Sequence, residues 1–353
     1  MDFLVNEPSV SPKPLYEMLN DCSRSFKVFC VIYTAMKMGV FDFLNKPKTL
    51  AEICEKTNAN PDFMDKICKI LVDLGLLVEK NGFYKNSEMS DAYLKKDSPL
   101  YQRSVFEDLR NNLKLWERLE EIAKSGPITI SEEGFFKEHN ESLASQALCG
   151  ELQRTVKIIS SLPEFKKARK LLDLGGGHGL YAIAFTKLNP NLEAYVFDFP
   201  EVLEKTKENI SKLRAERVHV IAGNFFTDDI GEGYDIVFFS YNPGGRNPKL
   251  IPKIHASLKD GGIFINKHVF YHKGEESKSL LLDIEWCMVS WSGVKKAKRI
   301  YSFEGDATFE EYLETLEKYF SVVKIVDAYE FAGYALTQLG DTLDAKIIVA
   351  KKI

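Results

Sequence analysis

The sequence predicts an α/β protein in which a mainly helical N-terminal part precedes a doubly wound parallel sheet with a closing antiparallel edge pair. Three observations carry this. Apolar residues recur at helical spacing up to about residue 165, short β-rich runs alternate with helical stretches beyond it, and a glycine-rich turn follows the first of those runs. The 353 residues are 45% hydrophobic and 12% aromatic, enough apolar material for about two domains.

Composition excludes several function classes. Lys and Arg number 47 against 51 for Asp and Glu, a formal charge of −4, so no surplus of positive charge is there to neutralise phosphates, and nucleic acid is not an expected partner. The six cysteines, at positions 22, 30, 54, 68, 149 and 287, form no CxxC pair and no zinc-spaced cluster with His. They read as reduced, mostly buried thiols, and no metal is expected. The opening MDFLVNEPSV lacks a basic region followed by a long apolar stretch, and the longest apolar run, 28–36, is too short to span a bilayer. A soluble, cytoplasmic protein without a membrane partner is expected.

In the first region, 1–110, Phe26, Phe29, Cys30, Tyr33 and Met36 mark one helical face. Thr49 with Glu52 three residues on is a capping box opening a helix over 49–56. A turn at 58–60 leads to a helix over 61–74 with Pro61 at its first position, which Gly75 ends. The runs 76–79 and 83–85 flank Asn81-Gly82 and predict a β-hairpin. Helix, turn, helix and hairpin make a winged-helix arrangement. Over residues 41–96 nine basic residues balance nine acidic ones, and the second helix carries Asp62, Asp65 and Asp73 against Lys66 and Lys69. That face repels a phosphate backbone, so a packing or dimerisation module is expected. Val105, Leu109, Leu113, Trp116, Leu119 and Ala123 continue a helical face, and residues 111–165 are expected as a helical linker.

The third region, 166–353, holds runs at 170–174, 193–198, 218–222, 234–240 and 262–267. With a helix after each, they predict a Rossmann-like parallel sheet. Runs at 321–328 and 346–351 have no confident helix between them and predict the antiparallel edge pair. Within LLDLGGGHG, 171–179, a buried strand runs into a turn whose glycines let a ligand approach backbone amides that a Cβ would shield. Asp198 closes the next strand, where a carboxylate can bridge the hydroxyls of a ribose. Gly177, Gly179 and Ala182 also fit the GxGxxA form of a dinucleotide fingerprint, which keeps an NAD-dependent oxidoreductase open as an alternative.

These segments resemble the class I S-adenosylmethionine-dependent O-methyltransferases with an N-terminal winged-helix dimerisation domain, the small-molecule enzymes related to caffeate and hydroxyindole O-methyltransferases. The resemblance rests on the winged helix, LLDLGGGHG, VFDFPEV around Asp198, VIAGNFF around Asn224, YDIVFFS and LLLDIEWCMVSWSG. It implies a homodimer, S-adenosylmethionine across the C-terminal ends of the strands, and a small-molecule acceptor in a pocket between the domains. It places Gly175 and Gly177 against the methionine part of the cofactor, and Asp198 with Phe199 at the ribose. Asn224 and Phe225 fall beside the adenine, Asn224 where the family usually has Asp, and Ser240 stands where plant members often have Lys. Trp286, Met288 and Trp291 would line the acceptor pocket, suiting a flat or apolar molecule.

The family's catalytic histidine, in a His-Asp-Trp segment after the fourth strand, is missing: this chain reads SYNPGGRN over 240–247. Lys267 stands where a supporting Glu is usual, with His268 beside it, and Asp306 corresponds best to a third family position, across an apparent insertion at 294–304. His268 and Asp306 are therefore the candidate acid/base residues, with strand and helix capping as their structural alternatives. His178 is expected to shape the cofactor site, and His255 to be solvated. The altered base positions also leave open a non-catalytic regulatory protein with a methyltransferase fold. The segments 294–304 and 331–345 are expected to reshape the pocket.

Overall fold

The computed structural model describes residues 4–328 and 343–353, and the chain divides into two compact units, Met1–Phe106 and Glu107–Ile353.

In the first unit, α1 (Lys13–Lys37) is followed by α2 (Val40–Phe43), β1 (Lys48–Thr49), α3 (Leu50–Thr57), α4 (Pro61–Asp73), β2 (Leu77–Lys80), β3 (Phe83–Asn86) and α5 (Glu88–Tyr93). Thr49 caps α3 with the complete capping box to Glu52. Asn60 caps α4 through its side chain, and Pro61 opens the helix. Asn81 and Gly82 take φ of 54° and 79°, as a two-residue hairpin turn with both central residues left-handed requires. β1 adds a strand that periodicity does not reveal, giving the order β1-β3-β2. Ile53, Met64, Cys68, Leu71 and Leu77 form the core, where burial pushes the Cys68 thiol up to about 12. Only the C-terminal part of α1 is buried here: Tyr33, Ala35 and Met36 are inside, whereas Phe26 is 57% exposed and Cys30 lies on the surface.

The division falls within α6 (Arg103–Trp116). Next come α7 (Leu119–Ser125), β4 (Ile128–Ile130), α8 (Glu132–Ala147), α9 (Glu151–Ser160) and α10 (Pro163–Lys167). The stretch 111–165, expected as a linker, lies in the second unit: Ala144, Leu152, Val156 and Ile159 are buried in the cluster that covers one face of the main sheet. An apolar face of this kind gains most by packing on a sheet.

The sheet comprises β5 (Lys170–Leu174), β6 (Glu193–Asp198), β7 (Val218–Ala222), β8 (Tyr234–Ser240) and β9 (Leu258–Val269). Helices α11 (Leu180–Leu188), α12 (Leu203–Leu213) and α13 (Ile251–Ser257) connect them. After α14 (Leu280–Met288), β10 (Val289–Trp291) and α15 (Phe309–Leu316), the chain ends in β11 (Phe320–Asp327) and β12 (Ala345–Lys352). The strand order is β11-β12-β9-β8-β5-β6-β7. β5 to β9 are parallel, and β12 runs antiparallel to both β9 and β11. The expected helix between β7 and β8 is absent: Gly223, Gly231 and Gly233 punctuate a connection of turns.

Successive residues of the central strands enter opposite cores. Leu171, Ile236 and Phe238 face one side, and Leu172, Val237 and Phe239 the other, the signature of a sheet covered on both faces. Chain order reverses between β5 and β8, so a crevice opens beyond their C-terminal ends. A second, two-stranded sheet pairs β4 with β10 in parallel, bringing residues 130–132 beside residues 291–293.

Candidate active site

The crevice leads into a cavity of about 470 Å³ whose lining residues all lie between Asp108 and Phe303. The turn after β5 forms its floor. Gly175 and Gly177 take φ of 64° and 52°, and a Cβ at Gly175 would lie 2.5 Å from the Asn242 amide. Asn242 fixes the turn by donating to the carbonyls of Leu174 at 3.1 Å and Gly175 at 2.9 Å, while Thr206 donates its hydroxyl to the Gly177 carbonyl. The Gly177 amide donates to Oδ2 of Asp198 at 2.8 Å, and the Phe199 amide to Oδ1 at 2.8 Å. Each carboxylate oxygen thus keeps a lone pair for a ligand hydroxyl.

Burial sets the charges here. It pushes the Asp198 carboxyl up to about 6 against the pull of its two amide donors. Asp173, beneath the turn, is raised to about 7 by burial and then by Asp198, and its Oδ2 has no partner among the described residues. His178 is pushed down to about 4 by burial, and its Nδ1 accepts from the Leu180 amide at 3.1 Å. It is a neutral structural ring in the cavity wall.

Of the residues singled out from sequence, Gly175, Gly177, Asp198, Phe199, Phe225, Ser240, Trp286 and Trp291 line this one cavity. Four do not. The side-chain carbonyl of Asn224 accepts from the Phe226 amide at 2.9 Å, and its backbone N–H donates to Asp228 Oδ2 at 2.8 Å. Met288 is buried off the face of α14 that presents Leu282, Glu285 and Trp286. His268 is 1% exposed, with its ring nitrogens against the carbonyls of Val269 and Asn242. Gly245 makes room for that ring, because a Cβ there would lie 2.1 Å from it. Asp306 pairs with Arg246 at 2.9 Å, both side chains buried, and Thr308 with Glu311 supplies the cap of α15 instead. His255 packs against the rings of Tyr319 and Phe320 rather than standing in solvent.

The 294–304 insertion closes the aromatic end. Arg246 donates to the Tyr301 carbonyl and the Ser302 hydroxyl. Lys296 donates to the carbonyls of Trp286 and Val289, and the Trp286 indole donates to the Ala297 carbonyl at 2.9 Å. Ile300, Tyr301 and Phe303 thereby join the wall. Of the second segment expected to reshape the pocket, 331–342 lies outside the described residues.

Sequence reading missed the contribution of α8. Phe135 and Phe136 flank Trp291, at centroid distances of 4.9 and 5.3 Å, and Glu132 and His139 line the cavity on the same helix. The only local signal was Ser131 as a helix cap; the rest arises from the β4–β10 pairing.

A doubly wound sheet, a glycine turn and a strand-end carboxylate facing an apolar cavity define a protein of the nucleoside-cofactor-binding class. Residues 127–303 match the O-methyltransferase domain, and residues 20–96 the O-methyltransferase dimerisation domain. An uncharacterised protein of Methanocaldococcus jannaschii is 38% identical across 99% of this chain and 100% of its own. Human acetylserotonin O-methyltransferase is 29% identical across 70% of this chain and 78% of its own. Among solved structures, an O-methyltransferase family protein from Burkholderia thailandensis superposes with a TM-score of 0.71 at 17% identity, covering 98% of this chain and 99% of that one. The chain belongs to the O-methyltransferase family and is an S-adenosylmethionine-dependent methyltransferase, which removes the NAD-dependent alternative.

Proposed function

We propose that Gly175, Gly177, Asp198, Phe199, Phe225 and Ser240 hold S-adenosylmethionine for O-methylation of a small aromatic acceptor. The observation that carries the cofactor assignment is the Asp198 carboxylate, fixed by two backbone amides with lone pairs to spare at the rim of a glycine turn. The turn fits such a ligand because residues 175–177 carry no side chain to block its approach, and a Cβ at Gly175 would already collide with Asn242. S-adenosylmethionine supplies a methyl group activated by its sulfonium. The chain's part is to align the acceptor and exclude water, which in well-oriented systems accounts for up to roughly 7–11 kcal/mol of the barrier.

Trp286, Trp291, Phe135, Phe136 and Phe303 form the acceptor end, an aromatic slot that favours a flat molecule. His268 and Asp306 are too enclosed to reach it; they hold the wall. Asn224 orders the loop that presents Phe225. A homodimer is supported by the match of residues 20–96 and by Leu15, Tyr16, Met18, Leu19 and Phe26 of α1, each more than half exposed in the single chain. Among the described residues no helix is long and apolar enough to cross a membrane. A cytoplasmic location fits the six free thiols. Calorimetry with S-adenosylhomocysteine and with NAD⁺ tests the cofactor assignment: saturable binding of the first and none of the second is expected, and the reverse overturns it.

A further inference from the structure

Glu132, the first residue of α8, is 4% exposed and lines the cavity. Among the described residues its carboxyl has neither a hydrogen bond nor an ion pair. It lies beside Gly293, where a Cβ would come within 3.2 Å of Oε2, so glycine at 293 leaves room for the carboxyl. The β4–β10 pairing sets that register. Trp291, two residues before Gly293, carries the aromatic wall into the same corner.

The other ionisable groups of the cavity are engaged or exposed, except Asp173, whose unpartnered Oδ2 is enclosed beneath the glycine turn. His139 has both ring nitrogens against oxygens, Phe135 O at 2.7 Å and Asp108 Oδ1 at 3.2 Å, so its ring is engaged from both sides. Glu285 accepts from the Trp116 indole at 2.8 Å. Glu151 accepts from Tyr181 and Lys267. Lys296 gives its protons to two carbonyls. Asp198 holds two amides, His178 holds the Leu180 amide, Asp173 lies under the turn, and Glu138 is exposed.

We propose that Glu132 is the residue that accepts the proton when the acceptor of the methyl transfer is an aromatic alcohol, a phenol. The inference rests on the methyltransferase reading above. As the phenol oxygen bonds to the methyl carbon, its O–H bond breaks and the proton passes to Glu132. The methyl–sulfur bond breaks with its electron pair left on sulfur. Sulfonium, carboxylate and phenol thus become thioether, carboxylic acid and aryl ether, and Glu132 then releases its proton to solvent. Burial, with Glu133 on the same turn and Asp198 across the floor adding like charge, pushes the Glu132 carboxyl up to about 7, near the value at which a carboxylate is an effective base in neutral solution.

The test uses the full chain with 2-naphthol and 2-naphthalenethiol as probes, because the thiol is already largely anionic and needs no base. In Glu132→Gln the ratio of naphthol to thiol methylation falls by about 10²- to 10⁴-fold. The alkaline rise of the naphthol rate with a midpoint at about 7 disappears. Infrared difference spectra of the wild type show a carboxylic acid band that titrates over the same range and is missing from the variant. S-adenosylhomocysteine binding, followed separately by calorimetry, reports on the underlying reading: its loss in the wild type overturns that reading, not this one. Should Glu132→Gln fail to fold, Glu132→Asp is read by the same ratio. An unchanged ratio, or a wild type that binds S-adenosylhomocysteine and methylates neither probe, overturns the proposal.

Discussion

The amide of Gly177 donates to Asp198 Oδ2 at 2.8 Å, joining the turn after β5 to the end of β6. The link fixes the carboxylate in the lining of the cavity, where the proposed cofactor site has it bind a ribose. Asp198→Ala removes a charged acceptor and unties the turn. A hydrogen bond to a charged group contributes about 1.5–3 kcal/mol, so titration calorimetry should show S-adenosylhomocysteine affinity weakened by about 10- to 150-fold.

Gly175→Ala probes the floor from the other side. With φ at 64° and Asn242 2.5 Å from the added carbon, alanine must adopt a left-handed backbone at about 1–2 kcal/mol and displace the amide that ties Leu174 to Gly175. Chemical denaturation should show the loss in stability, and S-adenosylhomocysteine affinity should fall with it. Unchanged affinity would mean that the turn is not the binding surface.

Glu132 makes stability depend on pH with a definite sign. Burial holds it at about 7 in the folded state, above its ordinary value of 4.5, so the folded protein retains a proton that the unfolded chain releases. Stability therefore falls as pH rises from about 4.5 to about 7 and is level above that range. Glu132→Gln removes this term. It should be more stable than the wild type by about 1–3 kcal/mol at pH 8, with the difference vanishing below about pH 4. Urea denaturation at the two pH values checks it.

The Arg246–Asp306 pair holds the 294–304 insertion in place. Arg246→Met leaves the Asp306 carboxyl buried without its partner, an arrangement that costs about 3–5 kcal/mol. The double variant Arg246→Met, Asp306→Leu should recover most of that stability, as measured by denaturant midpoint.

Much of the frame was legible because local signals were strong. Asn81-Gly82 fixed the hairpin, Thr49 with Glu52 fixed the start of α3, and the apolar runs at 170–174 and 234–240 coincide with β5 and β8. The glycine turn and Asp198 were legible because backbone geometry restricts both kinds of residue. What escaped depended on distant partners. β4 and β10 have three residues each and are far apart in sequence, so neither shows a period. Glu132 is one carboxylate among many until that pairing brings Gly293 alongside it. His268 was read as a base because it follows a strand at the ligand end of the sheet, yet the missing side chain at Gly245 lets the ring turn into the wall.

The most direct measurement is a crystal structure with S-adenosylhomocysteine bound. Both ribose hydroxyls should lie within hydrogen-bond distance of the Asp198 carboxylate, with the sulfur pointing toward Trp286 and Trp291. A nucleoside bound elsewhere, or ribose hydroxyls turned away from Asp198, would contradict the account.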